Sequence, residues 1–421
     1  MKHLSKVAAV ALALLLPTAL AWTGKAAAPA APGAYRDRAV YRFVNGLWFD
    51  GRAFVPKTFY SVNGVLRAAH GGRVDREFDL KGRFVVPPFA EAHNHHFMEG
   101  MDYRAQIRDY LARGIFYAKN PNTIQKLTDP VRPSVNNPES VDVTFANGGL
   151  TATGGHPVQI YDFLARRGVI PGWTKEMMNG QAYFIIDSEA DLEKSWPLIM
   201  AGKPDFIKTY LEHSEEYERR KDDPKFYGQR GLDPSLLRKI VARAHHERLR
   251  VSVHVNTATD FRAAVAAGAD EIAHLPLERL TGADARAAAR RRVVVVTTTL
   301  SHRPTSHVKD LDSVHRDNLR LLRRAGVPVV LGTDDNNRTV VEEAENVRRL
   351  RAFDDLTLLK LWVEETPRAI FPGRKIGRLA DGQEASFIAL DGNPVSDFAN
   401  VRRVSFRFKQ GHVIEPGGGR R

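Results

Sequence analysis

The chain has 421 residues and no cysteine. That absence removes disulfides and thiolate metal ligands together, so any metal must be held by nitrogen and oxygen donors from His, Asp, Glu or Lys. Long apolar runs are missing beyond the first residues, and no internal repeat of about 20–50 residues is visible, which argues against a polytopic membrane protein and against a repeat array. With 43% hydrophobic and 26% charged residues, the composition is that of a globular protein and excludes wholesale disorder. Acid is in deficit: the formal charge is +13. The excess arginines are scattered, as in "ARAAARRR" and "VRRLRAF", with no interleaved aromatic residues, which fits solvated helix faces rather than a nucleic-acid surface.

At the start stand a basic "MKHLSK", an apolar "VAAVALALLLPTALAW" and the small-residue pattern Ala19-Leu20-Ala21. This reads as an export signal over residues 1–21, giving a periplasmic or secreted protein with no stable membrane anchor once the signal is removed. A membrane anchor is the competing reading; Pro17 interrupts the run, which falls short of the about 20 apolar residues a spanning helix needs. Residues 22–35 read as a loose linker.

From Tyr41 to about Val86 short strand patterns alternate with Gly, Asn and Asp turn signals. The middle changes rhythm: helix-period segments such as "DPSLLRKIVARAHHERL" alternate with short apolar strands such as "RVSVHV", "RVVVVTTTL" and "GVPVVLGTD", the pattern of a parallel sheet or barrel. After "DDLTLLKLWVEETPRAIF" the tail returns to turns and strands. The organisation expected is β segments at 36–86 and 373–415 bracketing an α/β body at 87–372. Two stretches, 118–140 and 211–234, read as loops that would either cover a site or be solvated insertions.

The stretch "FAEAHNHHF" puts three histidines into four positions directly after an apolar run. In a strand His93 and His95 share a face and Asn94 takes the other. One such pair is weak evidence, since hydrogen-bonded pairs are about as common as metal sites. His254 closes "RVSVHV", His274 closes "DEIAHL", Lys208 ends "PDFIKTY" and Asp334 ends "VPVVLGTD". Six polar groups at the ends of five buried strands would share one rim of a (β/α)8 barrel, where active sites are built. His96 is on the other face of the strand and is expected to pack or line the rim. Lysine is the odd member: an ammonium about 4 Å from a divalent ion would cost about 8 kcal/mol at an effective dielectric near 20. Lys208 must then be neutral, displaced, or converted by carbon dioxide into a carbamate; snorkelling to the rim or pairing with Glu212 are the alternatives.

Together "DLKGRFVVPPFAEAHNHHF", "TGGHP", "PDFIKTY", "VHVNTATDFRAAVAAGADEIAHLP", "AGVPVVLGTDD" and "IGRLADGQEASFIALDGNPVSDFANV" resemble the amidohydrolase superfamily, in its imidazolonepropionase-like and metal-dependent Xaa-Pro dipeptidase-like branch, from about Tyr41 to Val413. The resemblance implies an α/β fold, a (β/α)8 TIM barrel with a small β-sandwich domain formed by both chain ends. It implies two divalent metal ions, with His93 and His95 on one metal with Asp334, His254 and His274 on the second, and a carbamylated Lys208 bridging. A metal-bridging hydroxide would attack a carbonyl, Asp334 would carry the proton as the catalytic residue, and His156 of "TGGHP" would meet the substrate. Zinc fits the nitrogen and oxygen donors best, with manganese, cobalt or iron open.

The chain departs from the family pattern at Glu91, where Asp is usual, and at Ser386, where an acid is usual. Hydrolysis of an amide or peptide-like C–N bond in a small-molecule substrate is the leading functional expectation. A lactone or phosphoester substrate, a one-metal deaminase and an exported binding protein without turnover are the others. Deamination is disfavoured because no glutamate follows His254 in "HVNTATD". Lys119, Tyr117, Tyr210 and Tyr217 are candidates to receive an acidic substrate, and a homo-oligomer is possible because an open barrel flank often pairs.

Overall fold

The computed structural model describes residues 39–301 and 308–415, so the export signal expected at 1–21 and the linker at 22–35 lie outside the described residues. Five strands open the described chain: β1 (Val40–Phe49), β2 (Phe54–Val62), β3 (Val65–Arg67), β4 (Arg76–Asp79) and β5 (Phe84–Val86). Then come β6 (Phe89–Glu91), β7 (Ile115–Asn120), β8 (Asp142–Phe145), β9 (Gly149–Thr151) and β10 (Tyr183–Ile185). The central strands continue with β11 (Ile207–Tyr210), β12 (Val251–His254), β13 (Glu271–Ile272), β14 (Val294–Val296) and β15 (Val329–Val330). The chain closes with β16 (Phe387–Leu390), β17 (Val404–Lys409) and β18 (His412–Val413).

The two ends of the chain build one eight-stranded sheet in the order β18-β17-β16-β5-β1-β2-β3, with β4 alongside β1. Alternation explains it. Phe43 and Trp48 from β1, Phe59 from β2, Phe387 from β16 and Phe408 from β17 point inward and form an aromatic core of their own. Phe43 meets Phe387 and Phe408 edge-on, each with ring centroids 4.8 Å apart, the geometry that ring quadrupoles favour.

Between the ends lies an α/β body with a parallel seven-stranded sheet, β10-β9-β11-β12-β13-β14-β15, and a parallel three-stranded sheet, β6-β7-β8. Strands β12, β14 and β15 are buried along their whole length and rich in valine, as strands covered on both faces must be. The helices between them are started by side chains: Thr257 with Asp260, Thr281 with Asp284 and Thr339 with Glu342 each form a reciprocal capping box, satisfying N–H groups that a helix start leaves unpaired. Backbone bonds also join the two sheets. Ala92 N–H donates to Leu331 O at 2.9 Å, Asp334 N–H to His93 O at 2.7 Å, and Asp205 N–H to Phe145 O at 2.7 Å, tying the end of β6 to the run after β15, and β8 to the approach to β11.

Of the two stretches read as loops, 118–140 begins inside β7 and carries a short helix at Gln125–Thr128, while 211–234 contains short helical turns at Ser214–Glu216, Tyr217–Arg220 and Pro224–Phe226. The second is tied down at its root by Asp260, whose carboxylate accepts the N–H groups of His213 and Ser214.

Candidate metal centre

Strand β6 ends at Glu91, so His93 and His95 lie just past the strand rather than within it. Their alternation survives because the backbone stays paired: Asn94 N–H donates to Lys119 O at 3.1 Å. The buried Asn94 side chain turns away to donate to Asp335 O and Arg338 O. On the other side Asp334 stands four residues beyond β15, in left-handed backbone at φ 51°. Gly332 makes the close approach possible, since a Cβ there would meet the His93 backbone N at 2.8 Å. Glu91 clamps the same junction, its carboxylate accepting the N–H groups of His93 at 3.2 Å and Thr333 at 2.9 Å, and the Thr333 hydroxyl. Burial pushes the Glu91 carboxyl up to about 8 even against those bonds. The longer acid at this position therefore acts as a backbone bridge.

His93, His95 and Asp334 offer ligand atoms that all lie within 4.8 Å of one another. Asp334 Oδ1 is 3.1 Å from His95 Nε2 and 3.5 Å from His93 Nε2. His95 Nδ1 is 2.7 Å from the Asn122 carbonyl, which can only accept, so Nδ1 carries a proton and Nε2 is the nitrogen that faces the carboxylate. Burial holds the His93 imidazole well below its ordinary value, against the pull of Asp334, leaving it in the neutral, ligating form. Burial alone would push the Asp334 carboxyl up, but His93, His95 and Lys208 hold it well below the usual carboxylate range. Two imidazoles and an ionised carboxylate with no thiolate suit a divalent ion of zinc-like character.

The remaining expected residues adjoin this cluster. His274 Nδ1 is 3.8 Å from Asp334 Oδ2, and its ring centroid is 4.7 Å from that of His93. His254 lies 4.5 Å from His274, ring to ring, and stacks on His156 at 4.6 Å. Tyr210 packs 5.3 Å from His156 and 5.6 Å from His254. His274 and His254 thus border the three-residue cluster as neighbouring rings and are not members of it. His156 opens a cis bond to Pro157.

Lys208 corrects the strand-end expectation. It is the second residue of β11, in register with Ser252, two pairs below Tyr210 and His254, and its side chain is 1% exposed. Its Nζ makes no hydrogen bond, so it neither snorkels nor pairs with Glu212, which instead accepts from Asn256 Nδ2 at 3.0 Å. Burial draws the Lys208 amine down to about 7, against the attraction of Asp334 and Glu271.

Two expected substrate contacts are overturned. Strand β7 is buried throughout; Lys119 is held at 2.7 Å by Glu271 and Tyr117 donates to Glu384, so neither faces a ligand. His96 is a packing residue, bonded to the Tyr110 hydroxyl and Asn336 O, and burial lowers it to about 4. Residues absent from the sequence reading are Asn122, which orients His95, and Thr298, whose hydroxyl is 2.9 Å from His274 Nδ1. Nothing local in "VVVVTTTL" marks the middle threonine.

The amidohydrolase family model matches residues 201–414. No curated protein matches the chain. Among solved structures, an ochratoxinase from A. niger is 18% identical with a TM-score of 0.71, covering 90% of this chain and 97% of its own. A Xaa-Pro dipeptidase with methionine bound in its active site is 15% identical with a TM-score of 0.71, covering 90% of this chain and 100% of its own. Molinate hydrolase is 15% identical with a TM-score of 0.69, covering 90% and 95%. At these identities the likeness is one of fold.

Proposed function

The chain belongs to the amidohydrolase family and is a hydrolytic enzyme, and from that premise we propose that it cleaves an amide or peptide-like C–N bond of a small molecule at a two-metal site. The observation that carries this reading is the His93, His95 and Asp334 cluster bordered by His274 and His254. The solved neighbours include a Xaa-Pro dipeptidase, molinate hydrolase and phenylurea hydrolase B, whose names support a C–N substrate. The bonds from Ala92 to Leu331 and from Asp205 to Phe145 support closure of the parallel strands into a (β/α)8 barrel, with the composite β unit of 36–86 and 373–415 beside it.

In this reading His93 and His95 would hold one divalent ion with Asp334, and His254 and His274 would hold a second; zinc is the choice the donors favour. A bound divalent ion polarises the scissile carbonyl and lowers the pKa of water. Lys208 would supply a further anionic ligand: its neutral amine would attack carbon dioxide through the nitrogen lone pair, lose one proton to solvent and become a carbamate with two oxygens. The low amine pKa, near 7, leaves a large neutral fraction for that step, and the resulting anion replaces a cation the site cannot tolerate. Asp334, ionised, takes a proton from the attacking water and returns it to the departing nitrogen. His156 and Tyr210, packed against His254, orient the substrate.

Metal analysis with a panel of Xaa-Pro dipeptides, N-acyl amino acids and cyclic amides tests the proposal. Two metals per chain with C–N cleavage is the expected result. Turnover only of lactones or phosphoesters would move the chemistry to another electrophile, and affinity without product would make the protein a binder. Export of the mature chain is part of the proposal and rests on residues 1–21; cell fractionation checks it.

A further inference from the structure

Thr298 is a β-branched residue at φ 40°, a left-handed backbone that such a side chain rarely adopts and that is strained. The strain has a visible cause on each side. Before it, β14 is paired in the sheet, and Thr298 N–H donates to Gly332 O at 2.9 Å. After it, Glu343 of the helix Val340–Arg349 accepts Thr299 N–H at 2.8 Å, the Thr299 hydroxyl at 2.8 Å and Leu300 N–H at 3.1 Å. Asn346, one turn along, donates to the same Thr299 hydroxyl at 2.8 Å. Glu343 and Thr297, Thr298 and Thr299 are all 0% exposed, so no water competes for these bonds. The chain is pulled into the αL turn between two fixed points, and the result is that the Thr298 hydroxyl lies 2.9 Å from His274 Nδ1.

We infer that Glu343 and Thr298 are positioning residues for His274. Glu343 clamps the backbone that follows β14, and the clamped Thr298 hydroxyl, 2.9 Å from Nδ1, holds the His274 ring in its place beside His93 and Asp334. A hydroxyl can bond Nδ1 in either tautomer and so hold the ring, as a methyl cannot. This inference rests on the metal reading above.

The test measures zinc affinity by chelator competition, with no substrate present, on wild type, Thr298→Val, Thr298→Ser and Glu343→Gln, with thermal unfolding of the metal-free proteins alongside. Valine keeps the β-branch and removes the hydroxyl; serine keeps the hydroxyl. The expected result is a 10–100-fold loss of affinity for one zinc in Thr298→Val, the range typical of an orienting partner to a ligating histidine, with recovery to within about threefold in Thr298→Ser. Glu343→Gln should fall between wild type and Thr298→Val. Unchanged affinity in Thr298→Val overturns the inference, and so does an equal loss in the valine and serine variants accompanied by lowered metal-free stability, which would mean a packing role only. Wild type that takes up no divalent ion would overturn the metal reading and this inference together, a result distinguishable from a silent Thr298→Val in a zinc-loaded protein.

Discussion

Lys409 and Lys208 are both buried lysines, 0% and 1% exposed, and their surroundings differ in every respect that matters. Lys409, at the end of β17, donates to Asp142 Oδ1 at 2.7 Å and to Asn137 O at 2.6 Å. Asp142 Oδ2 accepts from Arg374 at 2.7 Å, and Arg374 reaches Glu384 at 2.6 Å. Glu384 in turn accepts the Tyr117 and Ser386 hydroxyls. Two cations face two anions, and the cluster joins β8 of the central body to the sheet made by the chain ends. Ser386, unusual for the family pattern, belongs to this clamp. Lys208 Nζ lies 5.2 Å from the centre of the Tyr210 ring and makes no hydrogen bond. A buried charge with all its partners is part of the architecture; one that lacks them in a cluster of ligand-type side chains is waiting for something from outside the chain.

The contrast can be broken at its strongest point first. Asp334→Asn removes the carboxylate that the histidines hold ionised, and kcat should fall by about 10²–10⁴ with little change in the folded fraction. Full activity would dissolve the distinction between the two clusters. Next, Lys409→Met leaves Asp142 short of a partner and should cost about 3–5 kcal/mol in denaturant unfolding, while activity per folded molecule stays near wild type. Zinc at about 100 times its Kd should stabilise wild type by about 2.7 kcal/mol and leave His93→Ala with His95→Ala unmoved; an equal gain in both would place the metal elsewhere.

The smallest effect is the sharpest. Lys208→Met, compared with wild type in metal-free buffer purged of carbon dioxide, should stabilise the protein at pH 6, the opposite sign to Lys409→Met. Folding draws the Lys208 amine down to about 7 from 10.5, so between those values the unfolded chain binds the proton and the folded chain does not. Wild-type stability therefore rises with pH across that window relative to the variant, by on the order of 1 kcal/mol per pH unit, and the advantage of methionine shrinks. A methionine variant less stable at pH 6 would mean that Lys208 has a partner after all.

How much of this was legible follows from where each residue sits. His93, His95, His254, His274, Lys208 and Asp334 each stand out because a polar ligand type interrupts or closes an apolar, β-branched run, and the structure gathers them in one neighbourhood. Lys119 and Tyr117 carried the same kind of signal and were misassigned to the substrate, because their partners Glu271 and Glu384 are far away in sequence. A strand pattern gives the face of a residue but not what lies opposite it. Glu343 was invisible for a related reason: its acceptors' work is on backbone N–H groups of another element, and backbone groups leave no mark in a sequence.

The sequence by itself determined the periodicity that makes strands and helices alternate, the absence of thiolate ligands, and the identities of the donors available to a metal. Those are properties of single residues and of local spacing. Tertiary structure alone decided which buried charges are neutralised and which are left open, that Lys208 lies two pairs deeper than His254, and that a strained threonine meets His274. Each of these depends on register between strands distant along the chain, and register is set by packing and backbone pairing that no local stretch encodes.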